Sequence, residues 1–409
     1  MAIFANEAAM QKWMAEQLEG ADGFGELLES SDVPDPNSVE EGYITKSYKF
    51  CLDALNFNIV ISANENISLD PGDILKPDFL LYSSENEAVV VVELKNQSGP
   101  TRQAGTELGA YTAELKQYLP FIAGSDVISI VVSPDWPVLL RHYVFNEIVW
   151  GNKRVVCLRP IQKDDQIKLE LVPPEELVEG NLNVLLSDEH LGGFNVSLYD
   201  MELYSGGPRE RISAYIEQMQ TATKYIAAKG RAQSNNGFAF LWKNERTETL
   251  APYFITVVNV APFKMLERFV RALPIEDDCL LDRIIKNVAI DYFPEGHGAS
   301  IGEQYEDSLK FLGTFCSAQP EGFHSWPALK EFMTNFSTLI SFEAWGIFEK
   351  ALYEELEKEY ANGNTALRSN DPALGMSVLN TVIDSNYEYI DIRYLHTTSV
   401  DEDEDEDDY

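Results

Sequence analysis

The sequence predicts an α/β protein, with a mixed sheet flanked by helices in its first 175 residues and a mainly helical α+β region from residue 206 onward. Three observations carry that prediction. Lys76–Tyr82 and Ala88–Asn96 are apolar runs joined by the polar segment Ser83–Glu87, which reads as an antiparallel hairpin whose valine-rich second strand is buried on both faces. Gln103–Phe121 carries Leu108, Tyr111, Leu115 and Leu119 at helical spacing and precedes the apolar run Val127–Val132, the order of a crossover helix returning to a parallel strand. From Gly206 the pattern changes to a long polar helix candidate, Pro208–Gln233, and then to aromatic-rich segments.

Taken in order, Asn6–Leu18 reads as a helix capped by Asn6, with Met10, Trp13, Met14 and Leu18 on one face. Residues 20–41 are rich in Gly, Ser, Asp and Pro and read as a loop. Periodicity leaves Tyr43–Leu55 open between strand and helix, whereas Phe57–Ala63 suits a strand leading to the turn Asp70–Asp73. Ser133–Asp135 looks like the start of a helix running to Trp150, and Arg154–Leu158 and Ile167–Val172 read as paired strands. The first domain is expected to span 1–175, with 176–205 a linker or extension, 206–400 a regulatory or assembly domain, and 401–409 a disordered acidic tail. In the second half, Phe238–Trp242 and Tyr253–Val260 read as strands, and Phe263–Leu273 and Asp278–Tyr292 as helices. Gln304–Met376 reads as mostly helical, with Leu339, Phe342, Trp345, Phe348 and Leu352 as core positions.

Composition narrows the function classes. With 409 residues, 45% hydrophobic and 11% aromatic, the chain can build well-formed cores. No stretch has the length of a bilayer-crossing segment or the pattern of an export signal, so the expectation is a cytoplasmic protein without a membrane partner. The four cysteines and five histidines are scattered, with neither a zinc-finger spacing nor local support for a triad. The formal charge is −36, and the acids of Asp401–Asp408 leave −28 for the rest. Such a chain lacks the broad basic surface of a typical nucleic-acid binder. Lys153, Arg154, Arg159 and Lys163 form one of the few basic segments and can line a phosphate path or simply frame a strand edge.

The candidate chemistry sits on the hairpin. Asp78 starts the first strand, and Glu93 and Lys95, two apart on the second, project from one face. Magnesium takes oxygen ligands and commonly only one or two carboxylates, keeping its other positions for water and phosphate oxygens. Asp78 and Glu93 suit that role, with the Leu94 carbonyl as a third ligand, and the Lys95 ammonium can orient a water or neutralise developing charge.

In Pro77-Asp78 and Glu93-Leu94-Lys95 the sequence resembles the PD-(D/E)XK nuclease superfamily, the restriction-endonuclease-like fold. The resemblance implies metal-dependent hydrolysis of nucleic-acid phosphodiesters, with DNA favoured. It implies Mg²⁺, or Mn²⁺ in its place, bound by Asp78 and Glu93, with Lys95 as the catalytic lysine. It also implies an extra glutamate on a preceding helix, for which Glu7 is the first candidate and Glu16 the second, and substrate contacts from Gln103, Lys116 and Gln117 on the following helix. An acidic two-domain chain of this kind is similar to bacterial and phage-related defence nucleases, including the Shedu-like group. The second half would then assemble subunits into a homo-oligomer or bind a protein partner. The competing expectation is a catalytically inactive protein of the same fold acting as an interaction or assembly module.

Overall fold

The computed structural model describes residues 3–36, 39–70, 72–96, 102–178, 184–200, 211–246, 249–261, 283, 299–384 and 388–389. The chain divides into two compact units whose border falls between Asn183 and Val184. The acidic tail, Cys279 and the expected helices at 263–273 and 278–292 lie outside the described residues, save Arg283.

The first unit is built on a six-stranded mixed sheet in sequential order: β1 (Asn58–Ala63), β2 (Phe79–Ser83), β3 (Ala88–Leu94), β4 (Val127–Val132), β5 (Arg154–Lys163) and β6 (Gln166–Leu171). The first three strands form an antiparallel meander; β4 and β5 run parallel to β3, and β6 returns antiparallel. Helix α1 (Glu7–Leu18) precedes the sheet, and α2 (Val39–Asp53) packs on β5. The crossovers are α3 (Arg102–Tyr118) between β3 and β4 and α4 (Val138–Phe145) between β4 and β5, the latter continued by a π-helical turn at Asn146–Trp150. Every residue of β3 is buried, as the valine run requires of a strand covered on both faces.

Tertiary contacts settle what periodicity leaves open. Residues 43–53 are helical because Ile44, Tyr48 and Cys51, all fully buried, share one side, and the fully buried Leu55 follows in the turn after the helix. The Tyr48 hydroxyl donates to the Val172 carbonyl at 3.1 Å, fixing that side to the sheet's end. Two boundaries differ from expectation. Helix α3 stops at Tyr118, so Leu119 lies half exposed rather than in the core stripe. Helix α4 begins at Val138, not at Ser133–Asp135, because Pro137 biases Trp136 away from helical backbone; the Trp136 indole instead donates to the Ser133 carbonyl at 3.1 Å.

The second unit holds a five-stranded antiparallel sheet, ordered β11-β8-β10-β9-β12. Its strands are β8 (Leu191–Tyr199), β9 (Gly237–Asn244), β10 (Tyr253–Val260), β11 (Ser317–Ser325) and β12 (Ser337–Trp345). A two-residue pair, β7 (Val184–Leu185) with β13 (Glu388–Tyr389), lies apart. Helices α6 (Ile216–Ala232) and α7 (Ala299–Leu312) cover one face through Met219, Ile226 and Leu312. The other face carries Phe238, Phe240, Trp242 and Phe342, packed against α8 (Trp326–Phe336), α9 (Ile347–Ala361) and α10 (Pro372–Leu379). The remaining helix, α5 (Pro174–Leu177), belongs to the first unit.

This sheet adds to two expectations. Residues 304–376 are helical over more than half of their length, but β11 and β12 also fall within them. A β-bulge between Leu339 and Ser341 lets Leu339 and Phe342, three residues apart, face the same core, and a strand thereby imitates helical spacing. The stretch 176–205, expected to be a linker or extension, contains β8, which pairs with both β10 and β11. In the fold a Cβ on Gly193 would lie 1.9 Å from the Val257 carbonyl oxygen, so only glycine permits that approach.

Candidate active site

The site forms where β2 and β3 meet. Phe79 pairs with Val92, so the same register brings Asp78 level with Glu93 on one face of the hairpin. Asp78 is held by its backbone setting: the Leu94 N–H donates to Asp78 Oδ2 at 2.8 Å, and the Asp78 carbonyl accepts from Asn64 N–H at 3.0 Å. Glu93 is only 3% exposed. Its Oε1 accepts from Lys95 Nζ at 2.5 Å, while its Oε2 is buried without a hydrogen-bond partner. Lys95 Nζ also reaches Glu107 Oε2, at 2.9 Å, on the first half of α3.

Three helices complete the surroundings. Helix α1 is capped by Asn6, whose Oδ1 accepts from Ala9 N–H at 2.8 Å, and the segment before it is tied to the end of β3 by Asn96 Nδ2 donating to the Phe4 carbonyl at 3.3 Å. Those ties bring Glu7 within electrostatic range of Asp78 and Tyr111. Tyr111, one turn beyond Glu107, donates to the Lys76 carbonyl at 2.9 Å. On α4, Tyr143 feels the Glu93 charge and packs where a Cβ on Gly105 would come within 2.7 Å of its ring.

The charge balance is uneven: Glu7, Asp78, Glu93 and Glu107 act on one neighbourhood with Lys95 as its cation. Burial pushes the Glu93 carboxyl up to about 9, reinforced by Asp78 and opposed by Lys95. Burial also pushes Asp78 up to about 6; the Leu94 N–H and Lys95 oppose this, whereas Glu7 and Glu107 add to it. Burial alone would lower Lys95, but Glu93 and Glu107 outweigh it and hold the ammonium protonated well above its ordinary range. Tyr111 is raised by burial and then by all four acids, which places it at the centre of the negative field.

The predicted residues separate accordingly. Asp78, Glu93 and Lys95 come together, and Glu7 faces them from α1. Leu94 contributes its N–H to Asp78. Glu16 instead lies in solvent beside Lys12, 3.8 Å away. Gln103 is in the first turn of α3, and its side chain lies outside the described residues. Lys116 and Gln117 are exposed near the other end of that helix, nine and ten residues beyond Glu107, or roughly 14 Å along the axis. There Gln117 donates to Glu114 Oε2 at 3.1 Å. The basic segment is engaged internally: Arg159 pairs with Glu176, Lys163 with Glu29, and the Arg154 guanidinium lies 4.5 Å from the centre of the Phe50 ring. Sequence reasoning missed Glu107 and Tyr111. Their signal was the spacing 103, 107, 111, which continues one helical side toward Lys95.

Among the described residues no three or more His, Cys, Asp or Glu side chains draw together as a metal-holding group. The donors that do meet suit a hard cation nonetheless. Two carboxylates are the number Mg²⁺ commonly takes from protein, and Glu93 Oε2 is a buried carboxyl oxygen that accepts no hydrogen bond. Comparison with protein families, with curated proteins and with solved structures finds no match. No helix among the described residues is long and apolar enough to cross a membrane.

Proposed function

We propose that the first unit is a metal-dependent nuclease of the PD-(D/E)XK kind that hydrolyses nucleic-acid phosphodiesters, with DNA the favoured substrate and phage defence or restriction its setting. The observation that carries this reading is the buried Glu93 Oε2, unpartnered beside Asp78, with Lys95 fixed two residues along the same strand. The order of a leading helix, a three-stranded meander, a crossover helix and a parallel strand supports it as well.

In this reading Asp78 and Glu93 hold Mg²⁺, for which Mn²⁺ can substitute. The bound ion supplies charge stabilisation at the phosphoryl group and a lowered pKa for water. The protein's own groups do the positioning. The Leu94 N–H occupies Asp78 Oδ2 and so orients the carboxylate with its other oxygen left for a ligand. Lys95, kept protonated by Glu93 and Glu107, acts as a cation that attracts a phosphate oxygen or orients the attacking water, in a chain whose other charges repel phosphate. Glu107 positions Lys95, and Glu7 adds a carboxylate from the opposite helix.

The test is cleavage of supercoiled, linear and single-stranded DNA and of RNA by the full chain in Mg²⁺, Mn²⁺ or EDTA, beside Asp78→Ala and Lys95→Ala. Metal-dependent cleavage lost in both variants is the expected result. Absence of cleavage on every substrate, or cleavage that survives both substitutions, overturns the proposal.

A further inference from the structure

The second unit holds a cavity of about 420 Å³ between β8, β10, β11 and α8, within the size range of small-molecule sites. Its floor breaks the pattern of the sheet face to which it belongs. Across that face one row of paired residues runs Glu321, Asn195, Thr256, Phe240, Phe342 through β11, β8, β10, β9 and β12. One end of the row is aromatic core and the other is polar. Asn195 is 8% exposed and Thr256 and Ser197 are fully buried, a costly choice on a core face unless every group is satisfied.

A directed hydrogen-bond chain fixes the polar end. The Trp242 indole can only donate; it gives its proton to Thr256 Oγ1 at 2.8 Å, and Thr256 donates onward to Asn195 Oδ1 at 2.6 Å. The Asn195 amide is thereby oriented, and its Nδ2 is the donor that remains for the cavity it lines. Glu321 is oriented from below by Ser197, whose Oγ donates to Oε2 at 2.7 Å, and by the Tyr199 hydroxyl. No cationic side chain pairs with Glu321 among the described residues. A bulge between Glu321 and Phe323, with Gly322 at φ +60°, turns the strand there, and the next row pairs His324 with Gly193, which presents no side chain. Phe254 and Phe332 supply flat apolar walls, with ring centres 6.0 Å apart and planes at 81°.

We propose that this cavity binds a guanine-type nucleobase, as the base or nucleoside, through its lactam edge. The oriented Asn195 Nδ2 donates to the ring carbonyl, the Glu321 carboxylate accepts from the neighbouring ring N–H and amino group, and the edge-to-face pair of Phe254 and Phe332 supplies apolar contact. The carboxylate disfavours anionic ligands and asks for donors, whereas the amide beside it asks for an acceptor. A lactam edge offers both side by side, and adenine presents an amino group where the carbonyl is needed. All these groups belong to the second unit, so the proposal stands independently of the nuclease reading.

Isothermal titration of the full chain with guanosine and with adenosine tests it. Guanosine is expected to bind one to one, with adenosine weaker by about a hundredfold or more because its amino group meets the Asn195 donor and its ring nitrogen meets the carboxylate. Glu321→Gln, at an exposed position, is expected to weaken guanosine by about tenfold or more through loss of the anionic acceptor. Ala328→Trp, on the exposed side of α8, is expected to abolish binding by filling the cavity mouth without touching the buried chain. No binding of guanosine, equal binding of adenosine, or binding undiminished in Ala328→Trp overturns the proposal.

Discussion

Two buried carboxylates, one in each unit, are neutralised in different ways. Asp200 is 1% exposed and accepts at one oxygen from Arg211 Nε and Nη2, at 2.9 and 2.8 Å, while the same Nη2 also donates to the Phe315 carbonyl at 2.8 Å. Glu93 is as deeply buried, but its lysine is shared with Glu107 and stands among further acids at 7 and 78. Burial is common to both; what marks Glu93 is the gathering of four acids around one lysine. Such a gathering of like charge suits a site that takes a cation.

The sharpest break between them is in activity. Lys95→Ala and Asp78→Ala are each expected to lower metal-dependent cleavage by about 10²–10⁴-fold, measured as initial rate on the preferred substrate. The converse appears in stability. Arg211→Ala leaves Asp200 buried without its guanidinium and is expected to cost the second unit about 3–5 kcal/mol, read from the shift in its urea midpoint.

Proton linkage separates them further. Glu93 is pushed up to about 9 from an ordinary 4.5, and Asp78 to about 6 from 3.8, so between those values the folded state binds more protons than the unfolded. Metal-free stability of the first unit is therefore expected to be fullest below about pH 4 and to fall as pH rises toward 9. Glu93→Gln should flatten that decline, and Mg²⁺ should oppose it in the parent but not in the variant. Melting temperatures from pH 5 to 9, with and without Mg²⁺, decide this; a parent that gains stability with pH contradicts it. The smallest effect belongs to Glu16. Glu16→Ala is expected to change stability by no more than about 0.5 kcal/mol and cleavage not at all, whereas Glu7→Ala reduces cleavage.

Much of the first unit was legible because its signals are local. The hairpin's two apolar runs, the Asn6 cap and the crossover order all lie within short windows of sequence. Glu107 was not legible as a partner of Lys95, because nothing in a twelve-residue separation shows that a helix folds back over its strand with that side turned inward. In the second unit the same limit appears as periodicity. A bulge at Leu339–Ser341 made a strand look helical, and nothing in the local pattern shows that Gly193 of β8 lies where a Cβ would meet the Val257 carbonyl.

The sequence by itself determined that Asp78, Glu93 and Lys95 share one strand end, since strand pleat and a short turn leave little freedom in where they point. Only the tertiary structure decided how their charges are met. Which acids from α1 and α3 join them, that Glu93 Oε2 is left without a partner, and that Asn195 and Glu321 flank one cavity all follow from packing between segments distant in the chain. Pairing and burial of charge are properties of three-dimensional proximity, and local pattern carries no record of them.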